Sequence, residues 1–201
     1  MAAFDDLTTT LGALEKRQLY RRRRVVESPT GRQIIVNGRP LLNFCSNDYL
    51  GLAADERVRA AFKAGVDRWG AGAGASHLVS GHTAAHQELE EALADFTRRP
   101  RALLFGSGYA ANVGTINALV GSVDHVFEDR LNHASLLDGG WLSRANFNWF
   151  EHGDALNLEE RLTGCADSLR RKLIVSDGTF SMDGDLCPLP ELVAAARRHA
   201  A

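Results

Sequence analysis

RALLFGSGYAANVGTINALVGSVDHVFEDRLNHASLLDGGWLSRANFNWF (101–150) decides the fold. Short apolar pieces at 101–105, 125–129 and 146–150 alternate with helical stretches at 109–120 and 134–143. That alternation is the sign of a parallel sheet whose strands are joined by crossover helices. It extends in both directions, with helical pieces at 55–69 and 84–97 before it, and a helix at 156–166, the strand KLIVSD (172–177) and a helix at 189–201 after it. No low-complexity linker and no repeat of fixed period interrupts it. The expected fold class is α/β, a three-layer sandwich with a mostly parallel sheet over residues 54–201. An N-terminal helical arm and small hairpin occupy residues 1–53. In the arm, an amphipathic helix over 4–24 ends in Arg21–Arg24, where cations suit the free carbonyls of a helix C-terminus. Asn37-Gly38 supplies a left-handed turn between RQIIV and RPLLNF. The last helix has neither a glycine cap nor a proline stop before Ala201, so the alternation looks cut and its next strand unsupplied.

Composition narrows the function classes. With 201 residues, 45% hydrophobic and 24% charged, the chain can bury a core of its own. A net charge of −2 gives no global field to attract nucleic acid or an anionic membrane. No stretch approaches the roughly 18 apolar residues of a membrane span, and residues 1–14 lack the apolar core of a signal peptide. Cys45, Cys165 and Cys187 are odd in number and form no CxxC pair, which points away from disulfides and zinc and toward the cytoplasm.

Four stretches carry chemistry. WGAGAGASHLVSGH (69–82) is too rich in glycine for a helix and has no preceding strand for a dinucleotide fingerprint. It reads either as a surface loop or as backbone passing close to a ligand or a second subunit. LLFGSGYAAN (103–112) runs a strand through Gly106-Ser107-Gly108 into a helix near Tyr109. Free amides there suit a phosphate, although Gly-Ser-Gly also serves a tight βα turn and Tyr109 also serves packing. DRLNHASLLDG (129–139) puts His133 at the mouth of a helix after a strand, where an imidazole stacks on a flat cofactor, moves a proton, or simply fills space beside a capping Asn132. VSDGTFSMDGD (175–185) places Asp177, Ser181, Asp183 and Asp185 in one loop, in which Asp183-Gly184 is ordinary turn chemistry and no metal is expected.

Taken together with LNFCSNDYLGL (42–52) and GASHLVSGHTAAHQELE (74–90), these motifs resemble, in order and spacing, the α-oxoamine synthases, a family of pyridoxal-phosphate enzymes. The resemblance covers the chain from about residue 10. It implies the aspartate-aminotransferase-like fold (fold type I), with residues 54–201 as the first part of the cofactor-binding large domain, and a homodimer with sites at the subunit boundary. The rest of that domain and the small C-terminal domain have no counterpart here. Among members the match looks nearest to those condensing L-alanine with a pimeloyl thioester, on coenzyme A or acyl carrier protein, in biotin formation. A glycine-using member and a non-catalytic dimer partner are the alternatives. Carried over by resemblance, Gly108 and Tyr109 hold the phosphate of pyridoxal 5'-phosphate, His133 stacks on its ring and serves catalysis and substrate, and Ser181 hydrogen-bonds it. Asn47 reaches the substrate from the partner subunit as a catalytic and binding group, and Arg21 contacts the acyl chain. The family's Schiff-base lysine, and the aspartate and histidine beside the pyridine ring, have no equivalent; Lys16, Lys63 and Lys172 stand in other contexts.

Overall fold

The computed structural model describes residues 4–165 and 170–201. Residue 166, expected to end a helix, lies outside them. The chain divides into two compact units, Met1–Ala85 and His86–Ala201.

In the first unit, α1 spans Leu7–Lys16, shorter than the expected 4–24. Gln18 turns left-handed (φ 59°), and the Gln18 and Leu19 amides fold back onto the Glu15 and Leu14 carbonyls. This closes the helix as a Schellman motif without glycine. Arg21–Arg24 therefore lie past the helix in irregular, exposed chain rather than on its last turn. β1 (Gln33–Val36) and β2 (Arg39–Leu42) form the expected antiparallel hairpin, with Asn37 (φ 50°) and Gly38 (φ 70°) in its turn. α2 (Glu56–Trp69) is capped by Asp55, whose carboxylate accepts from the Arg57 amide. The glycine-rich stretch folds into a short π-helix over His77–Gly81.

The second unit takes in α3 (Ala84–Thr97) from His86 onward and holds a parallel sheet ordered β4-β3-β5. β3 is His125–Asp129, β4 Asn146–Phe150 and β5 Lys172–Val175. Four helices complete it: α4 (Gly108–Leu119), α5 (Ala134–Leu142), α6 (Ala155–Gly164) and α7 (Leu189–Arg198). One face of the sheet buries Val126 and Val175 with Ile116 and Val120 of the α4 side and Leu136 of α5. The other buries Phe127 and Phe150 with Leu158 and Leu162 of α6 and Leu192 and Ala195 of α7. These are the three layers, and burying each such apolar side chain contributes about 1.5–3 kcal/mol. Helices α4 and α5 approach so closely that a Cβ on Gly139 would sit 2.7 Å from Ile116 Cδ1.

Two further expectations fail. Residues 101–105 form no strand among the described residues: Leu103 is 77% exposed, and the Leu104 amide donates to Glu90 Oε1 at 2.9 Å. A strand needs a neighbouring backbone to bond to, and apolar character alone does not provide one. α7 stops at Arg198, where left-handed Ala200 (φ 53°) lets the Ala201 amide return to the Ala196 carbonyl.

Candidate functional site

The site is built at the amino ends of α4 and α5, the second of which begins just past β3. Ser107, in extended conformation, caps α4 by accepting the Ala110 amide at 3.1 Å. The Gly108 and Tyr109 amides in the first turn are left without intrahelical acceptors, at the positive end of the helix dipole. His133 caps α5: its Nδ1 accepts the Ser135 amide at 3.2 Å and lies 2.7 Å from Ser135 Oγ. With Nδ1 engaged as acceptor, the proton sits on Nε2, and the exposed ring presents an N–H edge and a free face.

Two hydrogen bonds tie the first turns of α4 to α5, the helix that His133 caps. Tyr109 donates its hydroxyl to Asp138 Oδ2 on α5 at 2.9 Å, and that bond raises the phenol's pKa above its ordinary value. Asn112 Nδ2 donates to Ser135 Oγ at 2.9 Å, and Ser135 meets His133. The phosphate-suited turn and the ring thus belong to one assembly, with the Tyr109 hydroxyl already committed, leaving its backbone amide for an anion.

Beneath His133 lies a buried polar network. Asn132 Nδ2 donates to Glu128 Oε2 and to the Val175 carbonyl, each at 2.9 Å, and its Oδ1 accepts the Asp177 amide at 3.0 Å. Asp177 in turn accepts the His133 amide at 2.6 Å. Glu128 is fully buried, and desolvation pushes its carboxyl from 4.5 up to about 7, against the Asn132 hydrogen bond and with help from the Asp177 charge. It is held as a neutral acid through most of the acid range.

Ser181 lies exposed in the loop that follows β5, at the same end of the sheet. Asn47 and Arg21 belong to the first unit, both exposed, with Asn47 beside an Asp48 turn whose carboxylate accepts the Leu52 and Ala53 amides. Glu128, Asn112, Ser135 and Asp138 were not singled out from the sequence. Their one local sign is the i, i+4 spacing of Glu128 and Asn132. Among the described residues no group of three or more His, Cys, Asp or Glu side chains is arranged to hold a metal ion. The three cysteines are free, and no described helix is long and apolar enough to cross a membrane.

Helix-end amides tied to a flat ring at the carboxyl end of a parallel sheet are an arrangement that suits a phosphorylated planar cofactor in an α/β protein. Residues 39–201 match the family described as aminotransferase class I and II, and the chain belongs to that family of pyridoxal-phosphate enzymes. It is 59% identical over 192 residues to an 8-amino-7-oxononanoate synthase of Methylococcus capsulatus, covering 96% of this chain and 49% of that one. Another of the same name from Pseudomonas syringae pv. syringae is 56% identical, with 98% and 49% covered. Among solved structures, a variant of serine palmitoyltransferase from S. paucimobilis with a bound PLP–myriocin aldimine superposes with a TM-score of 0.90 at 32% identity, over 98% of this chain and 50% of that one. The fold is thus part of the fold type I large domain. The chain spans about half the length of the curated relatives it matches.

Proposed function

We propose that these residues form part of an 8-amino-7-oxononanoate synthase, which condenses L-alanine with a pimeloyl thioester and releases carbon dioxide in biotin biosynthesis. The observation that carries this is the pair of hydrogen bonds that tie α4 to α5, Tyr109–Asp138 and Asn112–Ser135, the second of which reaches His133 through Ser135. The names of the relatives at 59% and 56% identity support the choice of substrate. Bound pyridoxal phosphate supplies a ring that draws electrons from the amino acid's α-carbon.

Around it, the Gly108 and Tyr109 amides hold the phosphate, His133 lies over the ring and offers Nε2–H to the substrate, and Ser181 donates a hydrogen bond. Asn47 and Arg21 serve the substrate's polar head and acyl chain in a cytoplasmic homodimer, Asn47 from the partner subunit. Residues 1–53 act as the arm and hairpin, and 54–201 as the start of the large domain.

Gly108→Pro tests the phosphate grip. Proline is at home in the first turn of a helix, and the extended Ser107 before it (φ −163°, ψ 161°) suits it. The substitution removes one amide donor and little else. A charge-assisted bond of roughly 1.5–3 kcal/mol predicts about a 10- to 100-fold loss of pyridoxal-phosphate affinity by fluorescence titration, with pyridoxal affinity unchanged. Equal effects on both ligands would refute the phosphate assignment.

A further inference from the structure

On the opposite face of the sheet from Glu128 lies a second polar cluster that the proposed reaction does not use. His152, just past β4, sits between two carboxylates, with Nδ1 2.9 Å from Asp129 Oδ1 and Nε2 2.9 Å from Asp185 Oδ2. Asp129, only 1% exposed, also accepts the Leu131 and Gly153 amides at 2.8 Å each. The second oxygen of Asp185, Oδ1, is buried with no hydrogen-bond partner. The ring meets buried Phe180 edge-on at 4.4 Å. Arg130, next to Asp129, and Glu151, next to His152, pair with each other at 3.4 Å.

Asp185 and Phe180 close a small loop. The Phe180 amide donates to the Asp185 carbonyl at 3.0 Å, the Gly184 amide donates to the Phe180 carbonyl at 2.8 Å, and Thr179 bridges Leu186. Ser181 is carried on the exposed arc between these closures.

We propose that His152 is a positioning residue: anchored on Asp129, its ring clamps Asp185 and so fixes the 180–185 loop that presents Ser181. The link to cofactor binding rests on the reading of Ser181 given above; the clamp itself does not. Only the imidazolium can donate to both carboxylates, because a neutral ring would turn a lone pair toward one of them. In keeping with this, the hydrogen bond to Asp129, with smaller contributions from its charge and from Asp185, raises the His152 pKa above 6.5 against partial burial. The clamp is complete below the ordinary histidine pKa and is lost as pH rises through the elevated one.

The test follows the His152 ring by NMR titration of the 201-residue chain, and the Phe180 and Gly184 amides by hydrogen exchange corrected for intrinsic rates. The wild type is compared with Asp185→Asn and His152→Gln. The expected results are a raised His152 pKa that falls in Asp185→Asn, and amide exchange at pH 6 that is about ten- to 100-fold faster in both variants, the worth of one charge-assisted bond. In the wild type the same acceleration should appear as pH rises through that pKa. Identical titrations in wild type and Asp185→Asn, or unchanged exchange, would overturn the clamp. Should His152→Gln not fold, Asp185→Asn, at a 43% exposed side chain, carries the comparison alone. Pyridoxal-phosphate affinity of Ser181→Ala and Asp185→Asn separates the two ideas. A loosened loop with affinity unchanged in both variants upholds the clamp and refutes the cofactor role of Ser181.

Discussion

Glu128→Gln should make the protein more stable, and only above mildly acidic pH. The carboxyl is fully buried, with Oε2 accepting from Asn132 and Oε1 unpartnered, and its pKa rises from 4.5 to about 7. Below about pH 4.5 folded and unfolded chains both hold the proton, and no penalty arises. Between 4.5 and about 7 the unfolded chain ionises while the folded one does not, so stability falls by about 1.4 kcal/mol per pH unit. Above that window both are ionised and the loss levels off at about 3 kcal/mol. Glutamine keeps the shape and the acceptor for Asn132 but cannot ionise. Urea unfolding followed by the fluorescence of Trp141 and Trp149 should show the variant's advantage growing by about 2–3 kcal/mol between pH 5 and pH 8. A constant difference across that range would refute the claim that Glu128 is buried as a neutral acid.

Other expectations follow from the same contacts. Gly140→Ala places a Cβ against Glu128 Oε1 and 2.6 Å from Phe147 Cε2, so it should cost about 1–3 kcal/mol of stability in the same urea assay. Tyr109→Phe loses the Asp138 bond, about 1 kcal/mol, and, with the phosphate held by backbone amides as proposed, should leave pyridoxal-phosphate affinity within about twofold. Lys172 opens β5 at its amino end, with Nζ near the His199 carbonyl and away from the carboxyl-end site. Borohydride treatment of this chain with pyridoxal phosphate should therefore leave no label on Lys172 by peptide mass spectrometry. Glu128→Gln and Asp185→Asn share no partner and should add within about 0.5 kcal/mol in a double-mutant cycle.

The elements that were legible in the sequence are those whose signal is local. Strands 125–129 and 146–150 and helix 84–97 match end to end, because period and flanking turns sufficed. RALLF failed because a strand is a relation between two segments, and the end of α1 failed because a glutamine, not a glycine, takes the left-handed position. At the site, Gly108 and His133 stood out as junction residues between strand-like and helical sequence. The partners of His152 lie 23 and 33 residues away, and no spacing rule joins them.

What joins the two polar clusters is the alternation of β3. Val126 and Phe127 point to opposite faces, and the next two residues repeat the choice. Glu128 follows Val126 toward α5, where Gly140 leaves room and Asn132 meets it beneath His133. Asp129 follows Phe127 to the other face, where His152 and two backbone amides converge beneath the Ser181 loop. Two adjacent carboxyls at one strand end thus have opposite surroundings: one side-chain donor for Glu128, three donors for Asp129. A one-residue slip of β3 would exchange them, pressing Asp129 against the Gly140 face and turning Glu128 toward His152. The register that the Val126-Phe127 pair fixes by burial is therefore the register that sets both His133 and the Ser181 loop.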